Sequence, residues 1–342
     1  MRALMLQAYG DMVVTELPDP TPGPDDVIVR TAFTGICGSD IHGYTGANGR
    51  RVPGQVMGHE TSGTVESVGA DVSPGLVGAH VTYNPVVVPP DQVKDFGENG
   101  TRAPGSYVIG VAPQHVAAFA QRVVVPARNL VPVPEDVPLR LGALVEPLAV
   151  ALQATRRTMI ASDRIALIIG GGPIGQSLVL ALRDAGVEHV IVSEISESRR
   201  RLVSALGGIP VDPMDGSLAG HLERLDHPSI RLAFDCVGAS STLQDALDAL
   251  QPGGVCSLVG MLQPQLSILA AALTTRERSI VGTFAYTTST FAAAANLLPT
   301  QRTTLETLIS EVVPLTDAPD AFRRLGAGED VPGKILVRLT DD

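Results

Sequence analysis

Residues 165–175 read Ile165-Ala166-Leu167-Ile168-Ile169-Gly170-Gly171-Gly172-Pro173-Ile174-Gly175. An apolar run followed at once by glycines and a proline is a buried strand that turns sharply into a helix. Helical spacing continues from Ile174 to Ala185, with Ile174, Leu178 and Leu182 on one stripe. In such a turn Gly170 permits the tight bend, Gly172 lets a pyrophosphate approach the backbone, and Gly175 lets the helix sit close to the strand. The helix start then offers free N–H groups and a favourable dipole to an anion. The next strand, Val190-Ile191-Val192-Ser193-Glu194, ends in a carboxylate nineteen positions after Gly175. There Glu194 can accept hydrogen bonds from ribose hydroxyls and repel an extra phosphate, so NAD is favoured over NADP. Arg199 and Arg200 stand against that preference, since either can hold a phosphate; otherwise they form a solvated helix face, with one guanidinium on the adenine.

Outward from this stretch, strand and helix alternate. Helical spacing covers Leu148 to Arg157 and Arg199 to Leu206, and strands are expected at Leu232 to Val237 and Val255 to Val259. A helix from Thr242 to Leu250 lies between those two strands and should stop at Pro252-Gly253-Gly254. This alternation predicts an α/β fold with a doubly wound parallel sheet. Residues 1–148 read differently, with a hairpin around Gly10-Asp11, strands at Val27 to Phe33, Thr61 to Val68 and Val123 to Val125, and many turns. We therefore expect a β-rich catalytic domain at 1–148, a nucleotide-binding domain at 149–287, and a segment at 288–342 that packs back on the first domain.

Bulk properties exclude other classes. The 342 residues carry a net charge of −11, which disfavours nucleic-acid binding. Apolar residues make up 44% and aromatics only 4%, so aliphatic side chains must fill the core. The uncharged run from Ile165 to Leu182 is broken by glycines and proline, so no membrane span is expected. With Cys37, Cys236 and Cys256 as the only cysteines, a disulfide framework is not expected and a cytoplasmic location is.

The reactive residues lie in three distant pieces: Gly35-Ile36-Cys37-Gly38-Ser39-Asp40-Ile41-His42, Gly58-His59-Glu60 and Val145-Glu146-Pro147. Taken singly, Cys37 reads as a small buried hydrophobe, His59 as a structural histidine and Glu60 as a surface carboxylate. Together they are the thiolate, imidazole and carboxylate that zinc accepts, and a catalytic site keeps one position open. With these motifs, and with Phe234 to Gly238, Gln251 to Gly254 and Val281 to Phe284, the chain resembles the zinc-containing medium-chain dehydrogenase/reductase superfamily, in the branch of sorbitol, threonine and butanediol dehydrogenases. The likeness extends over nearly the whole chain.

That resemblance implies a GroES-like catalytic domain beside a Rossmann domain. It implies that Cys37 and His59 ligate one catalytic zinc, with Glu60 or Glu146 as a direct or water-mediated neighbour. Asp40 would orient His59, and Ser39 and His42 would relay the alcohol proton. Cofactor contacts would come from Gly170, Gly172, Pro173, Ile174, Gly175, Glu194 and Arg199, and further along from Cys236, Val237, Val259, Thr283 and Phe284. The implied reaction is hydride transfer between a secondary alcohol, diol or polyol and NAD, in a homodimer or homotetramer.

Two departures are visible. Relatives with a structural zinc use four cysteines, and none occurs here between Cys37 and Cys236; the stretch Asn84 to Ala120 is rich in Pro and Gly instead and should form an ordered loop without metal. Ala285 stands where polyol-oxidising relatives often carry Arg, which favours an apolar or diol substrate over a long polyol. Tyr286 beside it reads as a core aromatic, or else as a hydrogen-bond donor in the pocket; Leu266 to Leu273 reads as an edge strand or plain burial, and Cys236 and Cys256 as core. A zinc-free quinone or enone reductase, or a non-catalytic NAD-binding redox sensor, would share the fold; the complete Cys37, Ser39, His42 and His59 set argues against both.

Overall fold

The computed structural model describes residues 1–47, 49–227 and 230–340. The chain divides into two compact units, Met1–Glu146 with Tyr286–Asp342, and Pro147–Ala285. No helix among the described residues is long and apolar enough to cross a membrane.

The first unit is built on a seven-stranded sheet. Its organising strand is Asp26–Gly35, whose inward residues Val27, Val29 and Ala32 are buried. It pairs antiparallel with Glu60–Val68, with Arg122–Pro126 and with Lys334–Arg338. Gly35 therefore lies opposite Glu60 on one side and Leu336 on the other. Three segments far apart in sequence thus end at one corner of the sheet. The hairpin Arg2–Ala8 with Asp11–Glu16 turns through Gly10, at φ +81°. Its side chains Leu4, Leu6 and Met12 share a core with Tyr44, Met57, Phe119 and Phe322. Within 84–120, Val86–Val87 pairs with Tyr107–Val108, and Val87 and Ile109 join a second core with Val29 and Tyr83.

The second unit holds a parallel six-stranded sheet, in the order Ile209–Val211, His189–Ser193, Ile165–Ile169, Ile230–Asp235, Leu250–Leu258, Ser279–Gly282. The first strand in sequence lies inside the sheet, and successive strands are added outward in both directions. Residues 166–169 and 190–193 are buried, as a parallel sheet covered on both faces requires. This is the doubly wound arrangement read from the Gly170 turn.

The structure departs from the sequence reading in three places. The strand expected at Val255 starts already at Leu250, directly after helix Ser240–Ala249. Pro252-Gly253-Gly254 stops the helix as expected, but it lies within a strand whose pairing register shifts between Ile230 and Leu232. Leu266 to Leu273 forms no strand; it runs into the short helix Ala270–Thr274 with Leu269 exposed, and the sheet edge is Ser279–Gly282. Leu266, Ile268 and Leu273 pack on the sheet core from outside, so apolar content there signals covering rather than pairing. Cys236 lies one residue beyond its strand and is only partly buried, while Cys256 is core.

Candidate active site

The corner where strand Asp26–Gly35 ends carries the candidate metal residues. Ile36 donates its N–H to Ile335 O at 3.0 Å, which fixes the chain as it leaves the sheet. Cys37 then caps helix Gly38–Tyr44 in an extended conformation. Asp40 closes the cap by accepting the Cys37 N–H at 3.2 Å through Oδ2. Ser39 and His42 are half-buried on this helix, three residues apart and so on one face.

His59 and Glu60 enter from the neighbouring strand. Gly58, at φ +104°, makes the bend before them, and a Cβ there would lie 2.9 Å from the Phe119 backbone nitrogen. Gly35 has a similar reason: a Cβ would lie 2.3 Å from Glu60 Oε2. The Glu60 carboxylate thus fills the space that a side chain at 35 would take. Ligand atoms of Cys37, His59 and Glu60 all lie within 4.8 Å of one another. Glu146, in the first turn of helix Val145–Thr158, is buried and close enough to feel the charge of His59 and Glu60.

The electrostatics of this corner are unusual. Burial opposes charge on His59, but Asp40, Cys37 and Glu146 outweigh it and push its pKa up to about 10. Burial pushes the Glu146 carboxyl up to about 7, with His59 opposing and Glu60 adding. Lys334, 4% exposed, donates to Glu60 Oε1 at 2.7 Å and to Ile36 O at 3.2 Å. Tyr286, buried and packed on Phe291, donates to Glu146 Oε1 at 3.0 Å. Glu60 Oε2 and His59 Nδ1 are buried without a hydrogen-bond partner among the described residues. Such groups cost about 1–3 kcal/mol each when left unmet. A divalent cation is the natural complement to a buried carboxylate oxygen beside a thiol and an imidazole, so the residues present fit a zinc ion.

Lys334 was not anticipated from sequence. A lysine opening an apolar strand ordinarily reaches solvent, and only the antiparallel register against Gly35 brings it to Glu60. Tyr286 combines both roles open to it from sequence, a buried aromatic and a hydrogen-bond donor.

In the second unit the candidate cofactor residues line one edge of the parallel sheet. Gly170, Glu194, Cys236, Val259 and Thr283 each follow directly on the last residue of a strand. Val237 and Phe284 come one position later. Gly170 has φ +96°, and its missing Cβ would lie 2.8 Å from Val237 Cγ2. A Cβ at Gly175 would lie 2.0 Å from Gly170 O, so the close helix–strand approach is real. Gly172 is the N-cap of helix Pro173–Asp184, with Pro173 at its first position and Ile174 half-buried. A Cβ at Gly172 would meet only Arg199 Nη1, at 3.9 Å, which leaves that backbone open to a ligand. Thr283 is buried with its hydroxyl 3.0 Å from Ser257 Oγ, and Phe284 is exposed.

Glu194 is more tightly held than its sequence position implied. Its two oxygens accept the Gly171 N–H and the Ser196 N–H, each at 2.7 Å. Each oxygen keeps a further lone pair, so ribose hydroxyls remain possible partners. Arg200 pairs with Asp212 at 2.8 Å and donates to the carbonyls of Glu194 and Ile195.

Comparison with known proteins agrees with this geometry. Residues 23–135 match the alcohol dehydrogenase GroES-like domain, and residues 173–300 match the zinc-binding dehydrogenase family. The chain is 30% identical to sorbitol dehydrogenase of Macaca fascicularis, over 95% of this chain and 93% of that protein. It is 26% identical to the structure of 2R,3R-butanediol dehydrogenase from Bacillus subtilis, with a TM-score of 0.87 over 98% of this chain and 99% of the other. A structure from Sinorhizobium meliloti, provisionally described as a zinc-binding dehydrogenase and bound to NADP, is 28% identical with a TM-score of 0.88 over 98% of both chains.

Proposed function

Because the chain belongs to the zinc-containing medium-chain dehydrogenase/reductase superfamily and is an oxidoreductase, we propose that it interconverts a secondary alcohol, diol or polyol and the corresponding ketone, with one catalytic zinc and NAD. The observation that carries this reading is the convergence within 4.8 Å of half-buried Cys37 with buried His59 and Glu60. In it, residues 1–148 and 288–342 form the catalytic part and 149–287 the cofactor part.

Cys37, His59 and Glu60 would hold the zinc, with Glu146 beside them. When bound, zinc acts as a Lewis acid that stabilises negative charge on the substrate oxygen. Ser39 Oγ takes the alcohol proton and passes it toward the His42 imidazole, which releases it to water. Tyr286 donates to one oxygen of Glu146 and so fixes the orientation of that carboxylate. Bound NAD would supply the hydride acceptor, and the balanced products would be ketone, NADH and one proton. Gly170, Gly172 and the start of helix Pro173–Asp184 would receive the pyrophosphate, with Pro173, Ile174, Arg199, Cys236, Val237, Val259, Thr283 and Phe284 around the cofactor.

The preference for NAD over NADP is supported by the Glu194 carboxylate and by Arg200, whose guanidinium is already engaged by Asp212. The absence of a side-chain cation at Ala285 supports a short or apolar substrate over a long polyol. A homodimer or homotetramer is part of the reading, supported by the half-exposed edge strand Ser279–Gly282. So is a cytoplasmic location, supported by three free cysteines.

The test combines metal analysis with turnover. About one zinc per chain is expected. NAD reduction should exceed NADP reduction across a panel of secondary alcohols, diols and polyols, and a chelator should abolish it. Folded, metal-free protein that turns over an enone would replace this reading with the zinc-free reductase.

A further inference from the structure

A buried cation shares a carboxylate oxygen with His59. Arg51 is 1% exposed, and its Nη2 stands 3.6 Å from Asp40 Oδ1. His59 Nδ1 stands 3.6 Å from the same oxygen. Asp40 itself is fully buried, and its other oxygen holds the Cys37 N–H. Arg51 Nε and Nη2, Asp40 Oδ1 and His59 Nδ1 are all buried without a hydrogen bond among the described residues. Guanidinium, carboxylate and imidazole therefore converge on one oxygen.

We propose that Arg51 is a positioning residue for the metal ligand His59, acting through Asp40. The inference rests on reading Cys37 and His59 as zinc ligands, and it adds a member to the site that touches neither the metal nor the substrate.

The fold makes room for this guanidinium. A Cβ at Gly43, inside helix Gly38–Tyr44, would lie 2.2 Å from Arg51 Cγ, so the glycine opens the path that the arginine stem follows. The Arg51 carbonyl is fixed by the Tyr9 hydroxyl at 3.0 Å, and the next N–H, of Val52, is met by Gln55 Oε1 at 3.3 Å. Burying a guanidinium is unfavourable unless a specific partner uses its charge, and an apolar side chain of similar volume would pack as well. The partner here is Asp40. A guanidinium stays charged, so it holds Asp40 as an acceptor. An acceptor facing His59 Nδ1 selects the tautomer with its proton there and leaves the Nε2 lone pair for a metal. The same carboxylate fixes the backbone of Cys37, so Arg51 bears on two ligands through one residue.

The experiment measures zinc affinity of metal-stripped protein by competition with a chromophoric chelator, together with the visible spectrum of the cobalt(II)-loaded form. Arg51→Met should weaken zinc about 10–100-fold, the range for residues that orient metal ligands, and should shift the cobalt bands. Arg51→Lys should recover most of the affinity. The double variant Asp40→Asn/Arg51→Met should bind no more weakly than Asp40→Asn alone. Folded Arg51→Met with wild-type zinc affinity and spectrum overturns the proposal, as does full additivity in the double variant. If Arg51→Met does not fold, Gly43→Ala, which displaces the guanidinium without removing it, must weaken zinc, and unchanged affinity overturns the proposal. A wild-type chain that takes up no zinc overturns the metal reading along with it.

Discussion

Around Cys37 and His59, buried charge is gathered and left partly unmet. Along the Gly170 edge, the buried carboxylates are met by the protein itself. Glu194 accepts two backbone N–H groups, and Asp235 accepts the N–H of Val237 and of Gly238 and the Thr242 hydroxyl. In the first unit, Glu60 has one oxygen on Lys334 and the other without a hydrogen bond among the described residues. The difference separates two kinds of recognition. A dinucleotide is received by preformed backbone, so its site is self-sufficient. A metal ion must find ligands whose demands the protein has not already met, so its site carries unsatisfied atoms in the metal-free chain.

The largest expected effect separates the two regions outright. Cys37→Ala should lower kcat/KM by about 10³- to 10⁴-fold, as several kcal/mol of Lewis-acid stabilisation implies. NAD binding, measured by calorimetry, should be unchanged. A parallel loss of NAD affinity would mean that the regions are not independent.

The second effect concerns the pH dependence of metal-free protein. Glu146, raised to about 7, and His59, raised to about 10, both bind protons more tightly folded than unfolded. The stability each contributes is complete below its unfolded pKa and is lost as pH rises through the folded one. For Glu146 that window runs from about 4.5 to about 7. Urea unfolding of metal-free protein should therefore show stability falling across this range, and Glu146→Gln should flatten the slope. Zinc should reverse the sign, because its ligands must be deprotonated. A metal-free protein that gains stability from pH 5 to 8 would contradict the electrostatics described.

The smallest effect lies in the second unit. Glu194→Ala should weaken NAD by about 2 kcal/mol, the value of a hydrogen bond to a charged acceptor, and weaken NADP less. Equal losses for both cofactors would limit Glu194 to holding Gly171 and Ser196.

The two regions also differ in how far they could be read from sequence. The Gly170 turn is local: strand, glycines, helix and the carboxylate of the next strand follow one another, and each glycine has a steric reason visible in its spacing. The Cys37 corner is not local. Its motifs were legible because Gly35, Gly38 and Gly58 flank reactive residues, but the groups behind them were not. Lys334 lies 274 positions from Glu60 and arrives through strand register. Arg51 sits beside Arg50 in a loop-like stretch, where a charged pair ordinarily means solvent; only the gap at Gly43 turns it inward. The strand ends beyond Ile230 were misplaced for a related reason, since Pro252-Gly253-Gly254 is compatible both with stopping a helix and with a shifted strand register.

The claim that most of this rests on is that Cys37, His59 and Glu60 share one cation. Zinc K-edge absorption of the purified protein tests it directly. One sulfur neighbour at about 2.3 Å with nitrogen or oxygen ligands nearer 2.0 Å is expected, the sulfur disappearing in Cys37→Ser. A zinc shell without sulfur in the wild type, or one unchanged by that substitution, would contradict it.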